Sequence, residues 1–420
     1  MFLRITNYIK NNSKELLVSF CLVYFSNDTL LFGTNQNKVF FWIHIIVLCL
    51  VLVFLFLKNK TIHNEYIPLL FVTILLNLLT IVINYDLSIK YLFELMMLFI
   101  GIFVSQSFSK EKFFNCFCFW IKTICLFSIG AFITALIFPS IINALPTITN
   151  KNGNIYHFAL FTFIEPVGYS VLPRVYGIFR EPGVFMIFIG MAMIFELLFK
   201  DKIQIKSFII YVIAMLSIFS TAGYISLALI LVLAFLKILL SKNIADKKRN
   251  IFAMLLVLVA LGLFIAYFGF DRLNSFVFNK LRVENASSTS RFGSFAGNLR
   301  MFFENPIIGK GYSFAENNFT LYASYSGYSN AHNTNTFLKI LSVHGIIYFA
   351  FITIAIFKFF SFSKNKLLSL MMFGIFILML CNEDLIVNTI IYVIAIFGLA
   401  NQRREYENSI NKRSSLWQYS

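Results

Sequence analysis

Charge is what this sequence has least of: Asp, Glu, Lys and Arg make up 13% of 420 residues, against 59% hydrophobic residues and 53 phenylalanines. The mean hydropathy is +0.79. A soluble domain of this length could not bury so much apolar surface, so the scarcity excludes a globular soluble protein and leaves an integral membrane one. Cysteine is also sparse. Cys21, Cys49, Cys116, Cys118, Cys125 and Cys381 all sit inside apolar runs and the outward loops contain none, which argues against disulfides and structural zinc. No Asp-x-Asp pair occurs among the 19 acidic residues, so nothing invites a divalent ion, and neither a metal nor a cofactor is expected. A repeat of roughly 20 to 50 residues is missing, as is a small-residue cleavage site after a short apolar core, so the start of the chain does not read as a removable signal peptide.

What the chain has in abundance is apolar runs long enough to cross about 30 Å of hydrocarbon, which predicts an all-α, polytopic transmembrane helical bundle. The spans fall near 15–33, 39–57, 67–83, 87–104, 113–138, 183–199, 207–220, 222–240, 251–269, 337–360, 367–381 and 385–400. Asn27 and Asp28 weaken the first, and the small-residue stretch "STAGY" at 220–224 divides what would otherwise be one over-long helix. The whole of 1–420 reads as a single membrane domain with a tail at 401–420.

Lysines and arginines crowd alternate connections, at 58–60, 110–112, 200–206, 242–249 and 364–366 and in the tail. By the positive-inside rule these face the cytoplasm, with both termini, and the net charge of +16 becomes a topology signal with no need for nucleic acid. Within the spans, Glu94 and Lys122 could pair across two helices as a structural lock, Glu196 and Lys237 could snorkel, and His44 and His344 read as packing residues.

Two connections are long, 139–182 and 270–336, and both are expected outside the cytoplasm. The first ends in "RVYGIFREPG" at 174–183. Pro182 suits a first helical turn, Glu181 sits where a carboxylate meets free backbone N–H groups, and Arg174 and Arg180 stand beside that helix mouth as an anion site. The second contains a predicted amphipathic helix with Phe292, Phe295, Leu299 and Phe302 at helical spacing, ended by "ENP" at 304–306. Arg291 lies in its first turn, where a cation gains nothing from the helix dipole and needs another partner; snorkelling to lipid phosphates is the plain alternative. The loop closes with "SNAHNTNTFLKIL" at 329–341, where Asn333 or Asn335 caps the next span and His332 is placed to exchange a proton near neutral pH. Arginines, a glutamate and a histidine converging on one side of a membrane predict outward-facing chemistry on an amphipathic anion.

These motifs, with "STSRFGSF" at 288–295, "ENPIIGKGY" at 304–312 and "AHNTNTFL" at 331–338, resemble the O-antigen polymerase and O-antigen ligase superfamily of bacterial polysaccharide assembly. The resemblance covers nearly the whole chain. It implies a GT-C-like, metal-independent glycosyltransferase of the bacterial inner membrane, acting at the periplasmic face on undecaprenyl-diphosphate-linked oligosaccharide. It further implies catalytic roles for His332 and Glu181, pyrophosphate binding by Arg174, Arg180 and Arg291, and support from Ser220, Asn333 and Asn335. Relatives often carry an arginine after the serine of "STAGY", which this chain lacks. "FREPG" looks more like the polymerase version than the ligase. The expected partners are the lipid-linked glycan and membrane lipid, with room for a chain-length regulator protein. A ligase acting on lipid A core is the alternative, and a lipid-linked oligosaccharide flippase the alternative from another class.

Overall fold

The computed structural model describes residues 2–159, 161–165, 173–240, 251, 286–328, 331–363 and 365–400. Nearly all of the expected span 251–269, the loop segment 270–285 and the tail 401–420 lie outside the described residues.

The chain opens with α1 (Phe2–Asn11), α2 (Ser13–Tyr24) and the short α3 (Leu30–Gly33). The expected span 15–33 is thus cut at its polar turn: Thr29 caps α3 with its side chain, and buried Asp28 occupies the break. α4 (Lys38–Asn59), α5 (Ile67–Asn84), α6 (Lys90–Ser107) and α7 (Lys110–Ile137) follow, then α8 (Pro139–Asn143). The bundle continues through α9 (Pro182–Phe199), α10 (Ile205–Ser217) and α11 (Thr221–Leu239). Later come α12 (Ala286–Glu304), α13 (Tyr312–Ser324), α14 (Thr336–Phe360), α15 (Lys366–Leu380) and α16 (Thr389–Leu399). Among the described residues seven helices are long and apolar enough to cross a membrane. The protein is a polytopic helical membrane protein.

The helix ends follow local chemistry. Pro182 starts α9, Ser220 accepts the Gly223 N–H to cap α11, and Asn335 accepts the Leu338 N–H to cap α14. "STAGY" does separate two helices, through Phe219 at φ +50° and the Ser220 cap. α9 is the axis of the bundle, 94% of its span being buried against 22% for α4. Its flanks are α7, α11, α15 and α10, while α6, α14 and α16 form the adjoining cluster.

One element had no sequence signal. Within the first long loop, β1 (Thr147–Thr149), β2 (Ile155–Ala159), β3 (Thr162–Ile164) and β4 (Val175–Gly177) form an antiparallel sheet in that order. The register pairs Ile148 with Tyr156 and Phe158 with Phe163. Strands of three to five residues leave too few positions for an alternating pattern to emerge. The sheet holds the first outer turn in place, since Lys151 N donates to Thr34 O (2.8 Å) and Leu30 N to Ile178 O (3.0 Å).

Among the described residues, the basic connections and the elements of the long loops fall at opposite ends of the helices. At one end Lys58 Nζ donates to Ser107 O, and Lys237 Nζ to the carbonyls of Leu197 and Lys200. At the other, the turns at 25–37, 85–89 and 382–388 meet the sheet, α12 and α13.

The expected Glu94–Lys122 pair does not form. Lys122 Nζ donates to Ser207 Oγ at 3.2 Å. Glu94 Oε1 instead accepts from Tyr312 Oη (2.5 Å) and Tyr392 Oη (2.9 Å) and lies 3.0 Å from His344 Nε2. The lock therefore joins α6, α13, α14 and α16. Immediately after His344, Gly345 breaks α14 at φ +73°, and a Cβ there would lie 2.2 Å from Ile307 O. Only glycine admits the "NPIIG" loop so close at that backbone angle.

Candidate functional site

The candidate site is assembled at the loop end from four segments: residues 180–183, α12, the 331–335 strap and the α15–α16 turn at 382–388. Arg180 anchors it. Its backbone N–H donates to Asp28 O (3.0 Å), its Nη2 donates to Asp384 O (2.6 Å), and its Nε lies 3.5 Å from Asp28 Oδ1. Asp28 is buried and also accepts Asn388 Nδ2 at 2.5 Å. Burial moves the Asp28 carboxyl above the usual range, with Arg180 and Asn388 opposing.

Glu181 occupies the cap position of α9 but makes no capping hydrogen bond, and its side chain is 52% exposed. This corrects the sequence expectation: the carboxylate over the α9 mouth belongs to Glu383. A Cβ built on Gly183 would lie 1.8 Å from Glu383 Oε1, so the glycine makes room for that carboxylate against the first turn. Glu383 is itself buried, its backbone carbonyl accepting from Thr336 N (3.1 Å) and from the Thr336 hydroxyl. Leu385 N donates back to Thr336 Oγ1 (2.7 Å), clipping the 382–388 turn to the start of α14.

Glu383 is the group on which three of the candidate residues, Glu181, Arg180 and Arg291, act. Burial first, and then the hydrogen-bonded Glu181 carboxyl beside it, push Glu383 well above the ordinary glutamate range, while Arg180 and Arg291 oppose the rise. Desolvation lowers the Arg291 guanidinium from its usual value and the Glu383 charge counters it. Glu383 is thus an electrostatic counterpart of Arg291. A carboxyl neighbour and burial both disfavour the charged form of Glu383, and Arg180 and Arg291 are the positive groups that oppose them.

α12 turns its small residues to the protein and leaves two of its aromatic residues on the outside. Phe292 and Phe295 are exposed, whereas Gly293, Ser294, Gly297, Asn298 and Met301 point inward. The small face is needed because the 331–335 strap runs directly over it. Ser294 Oγ donates to His332 O (2.8 Å), Thr334 N donates to Ser294 Oγ (2.7 Å), and Asn333 and Asn298 exchange amide hydrogen bonds at 3.0 and 3.1 Å. Asn333 is thereby a strut and Asn335 a helix cap. His332 is held by its backbone, with an exposed side chain at the rim of the site.

Arg174 and Ser220 lie together elsewhere. Arg174 Nε donates to Ile218 O at 3.1 Å and its guanidinium faces the Tyr176 ring, 5.9 Å from the centroid. Ile218 immediately precedes the Phe219–Ser220 break, so this arginine braces the α10–α11 corner against the sheet. No contact among the described residues joins Arg174 to Arg180 or Arg291.

Several charged groups here were not singled out from sequence. Lys339 Nζ bonds Asp384 Oδ2 (2.6 Å) and Glu316 Oε1 (3.2 Å), and Lys90 also pairs with Glu316. Burial favours neutral Asp384, but Lys339 and then Arg180 hold it below the usual carboxylate range. A signal for Glu383 and Asp384 did exist: "NEDL" at 382–385 sets two adjacent acids between apolar helices in a chain with 19 acidic residues.

Residues 207–353 match the family model described as O-Antigen ligase. No curated protein and no solved structure matches the chain. The family match supports membership of the O-antigen ligase and polymerase superfamily.

Proposed function

From that superfamily membership as premise, we propose that the protein is an O-antigen polymerase, transferring a growing glycan from undecaprenyl diphosphate onto a lipid-linked repeat unit at the periplasmic face of the inner membrane. The observation that carries the reading is Glu383, buried over the α9 mouth against Gly183 and acted on by Glu181, Arg180 and Arg291. In the transfer, the acceptor hydroxyl forms a bond to the anomeric carbon of the donor sugar as the bond to the diphosphate breaks. Negative charge grows on the leaving diphosphate, and the planar fork of Arg291 suits its oxygens. The hydroxyl proton passes to Glu181, the exposed carboxylate, while protonated Glu383 orients it. His332, exposed on the strap over α12, offers a second base. Arg174, at its separate corner, belongs to the diphosphate path by resemblance, and its contacts here support a bracing role.

A ligase is the second reading, favoured by the description of the matched family model. The filled axis at α9 supports a transferase over a flippase, which needs a central cavity along its charges. Deleting the gene separates the three. Loss of a polymerase leaves single repeat units on lipid A core, loss of a ligase leaves long lipid-linked glycan and bare core, and loss of a flippase strands repeat units on the cytoplasmic leaflet. Either of the last two outcomes overturns the polymerase reading. A reporter fused at Asn317 reading as cytoplasmic would overturn the orientation on which all of them rest.

A further inference from the structure

A cavity of about 270 Å³ opens beside the carboxyl pair, on the far side of Arg180. Its lining combines the polar groups of Asp28, Lys90, Arg180, Lys339 and Asp384 with the rings of Phe41 and Phe93. The two rings meet edge to face, centroids 6.2 Å apart. From this geometry we infer that the cavity is a subsite for a neutral sugar, the terminal residue of the acceptor glycan. The inference rests on the transferase reading.

The charges decide against a phosphate. Every cation in the lining is already engaged: Lys339 by Asp384 and Glu316, Lys90 by Glu316, and Arg180 by Asp28 and the Asp384 carbonyl. Two carboxyls, Asp28 and Asp384, line the same surface. An incoming diphosphate would meet them with no unpaired cation in return. A polyhydroxyl ring meets none of that repulsion. Its hydroxyls both donate and accept, so they can bridge the paired groups, and its C–H face packs on the phenylalanines. The volume lies near the lower end of ligand pockets, about 300 Å³, suiting a terminal sugar rather than a length of chain.

Position gives the cavity its use. Arg180 lines it, and the next residue in the chain, Glu181, is a neighbour of Glu383. A sugar seated against Arg180 would present a hydroxyl toward the carboxyl pair, with the donor diphosphate approaching from α12.

Thr34 lines the cavity mouth and lies outside the proposed machinery. The test uses the purified full chain carrying Thr34→Cys in a Cys49→Ser, Cys381→Ser background, and a second chain carrying Phe295→Cys one turn from Arg291. Maleimide labelling is timed with two probes: the free oligosaccharide repeat unit released from the host's own lipid-linked precursor, and inorganic pyrophosphate. The oligosaccharide should slow labelling at Thr34→Cys several-fold and pyrophosphate should not, with pyrophosphate acting at Phe295→Cys. Protection of Thr34→Cys by pyrophosphate, or no protection there by oligosaccharide, overturns the sugar subsite. In the second case, retained pyrophosphate protection at Phe295→Cys leaves the transferase reading standing, and its loss as well removes support from both.

Discussion

Gly183→Ala isolates the carboxyl pair from the fold. The added methyl would sit 1.8 Å from Glu383 Oε1, 2.8 Å from its carboxyl carbon and 3.2 Å from Cγ. α9 is 94% buried and cannot yield, so the end of the Glu383 side chain must swing away from Glu181. Helix stability moves the other way, because alanine is favoured over glycine in a helix by about 0.5–1 kcal/mol. The expected result is a normally expressed protein with unchanged thermal stability and reduced activity. A lost hydrogen bond to a charged group costs about 1.5–3 kcal/mol, equivalent to about a 10- to 150-fold slower transfer. On a ladder gel of surface glycan the distribution should collapse toward single repeat units. Glu383→Gln provides the converse. It is isosteric with the protonated carboxyl, still donates to Glu181, and should hold activity within a few-fold. If Gly183→Ala keeps the full ladder and the parent pH–rate profile, the pair has no part in the reaction.

Arg291→Lys keeps the charge but loses the planar fork, and should abolish long-chain glycan in a complementation assay; Arg300→Lys, an exposed arginine one face away, should behave as the parent. Arg174→Lys should fail differently, lowering the melting temperature by loss of the Ile218 carbonyl bond at a cost of about 1 kcal/mol, read by thermal shift in detergent. Because the folded Glu383 is raised above its unfolded value, its stabilising contribution is complete below about pH 4.3 and is lost as pH rises toward the folded value; melting temperature should fall over that window, and Glu383→Gln should flatten the fall. Gly345→Ala puts a Cβ 2.2 Å from Ile307 O at φ +73°, and should lower expression and thermal stability together, whatever its effect on catalysis.

Much of this protein was readable before any coordinates. Apolar runs locate helices because hydrocarbon leaves the backbone no partner except itself, and accordingly α4, α5, α6, α7, α9, α11 and α14 lie close to their expected spans. Helix starts were legible for a local reason: Pro182, Ser220 and Asn335 act on N–H groups within three residues of themselves. What tertiary structure decided are relations across long sequence separations. Nothing local tells Glu181 that its neighbour is Glu383, or that Asp28 will receive Arg180 and Asn388; such pairs arise when distant loops are brought to one end of a bundle and a buried charge must find compensation. The same physics redirected Glu94 from Lys122 to His344 and two tyrosines, and turned α12 onto its small face, because a strap passing over Ser294 leaves no room for phenylalanine. Composition and pattern determine which segments enter the membrane and where they begin, since each depends on a residue and its near neighbours. Which polar groups face one another, and hence what the loop end can bind, depends on packing.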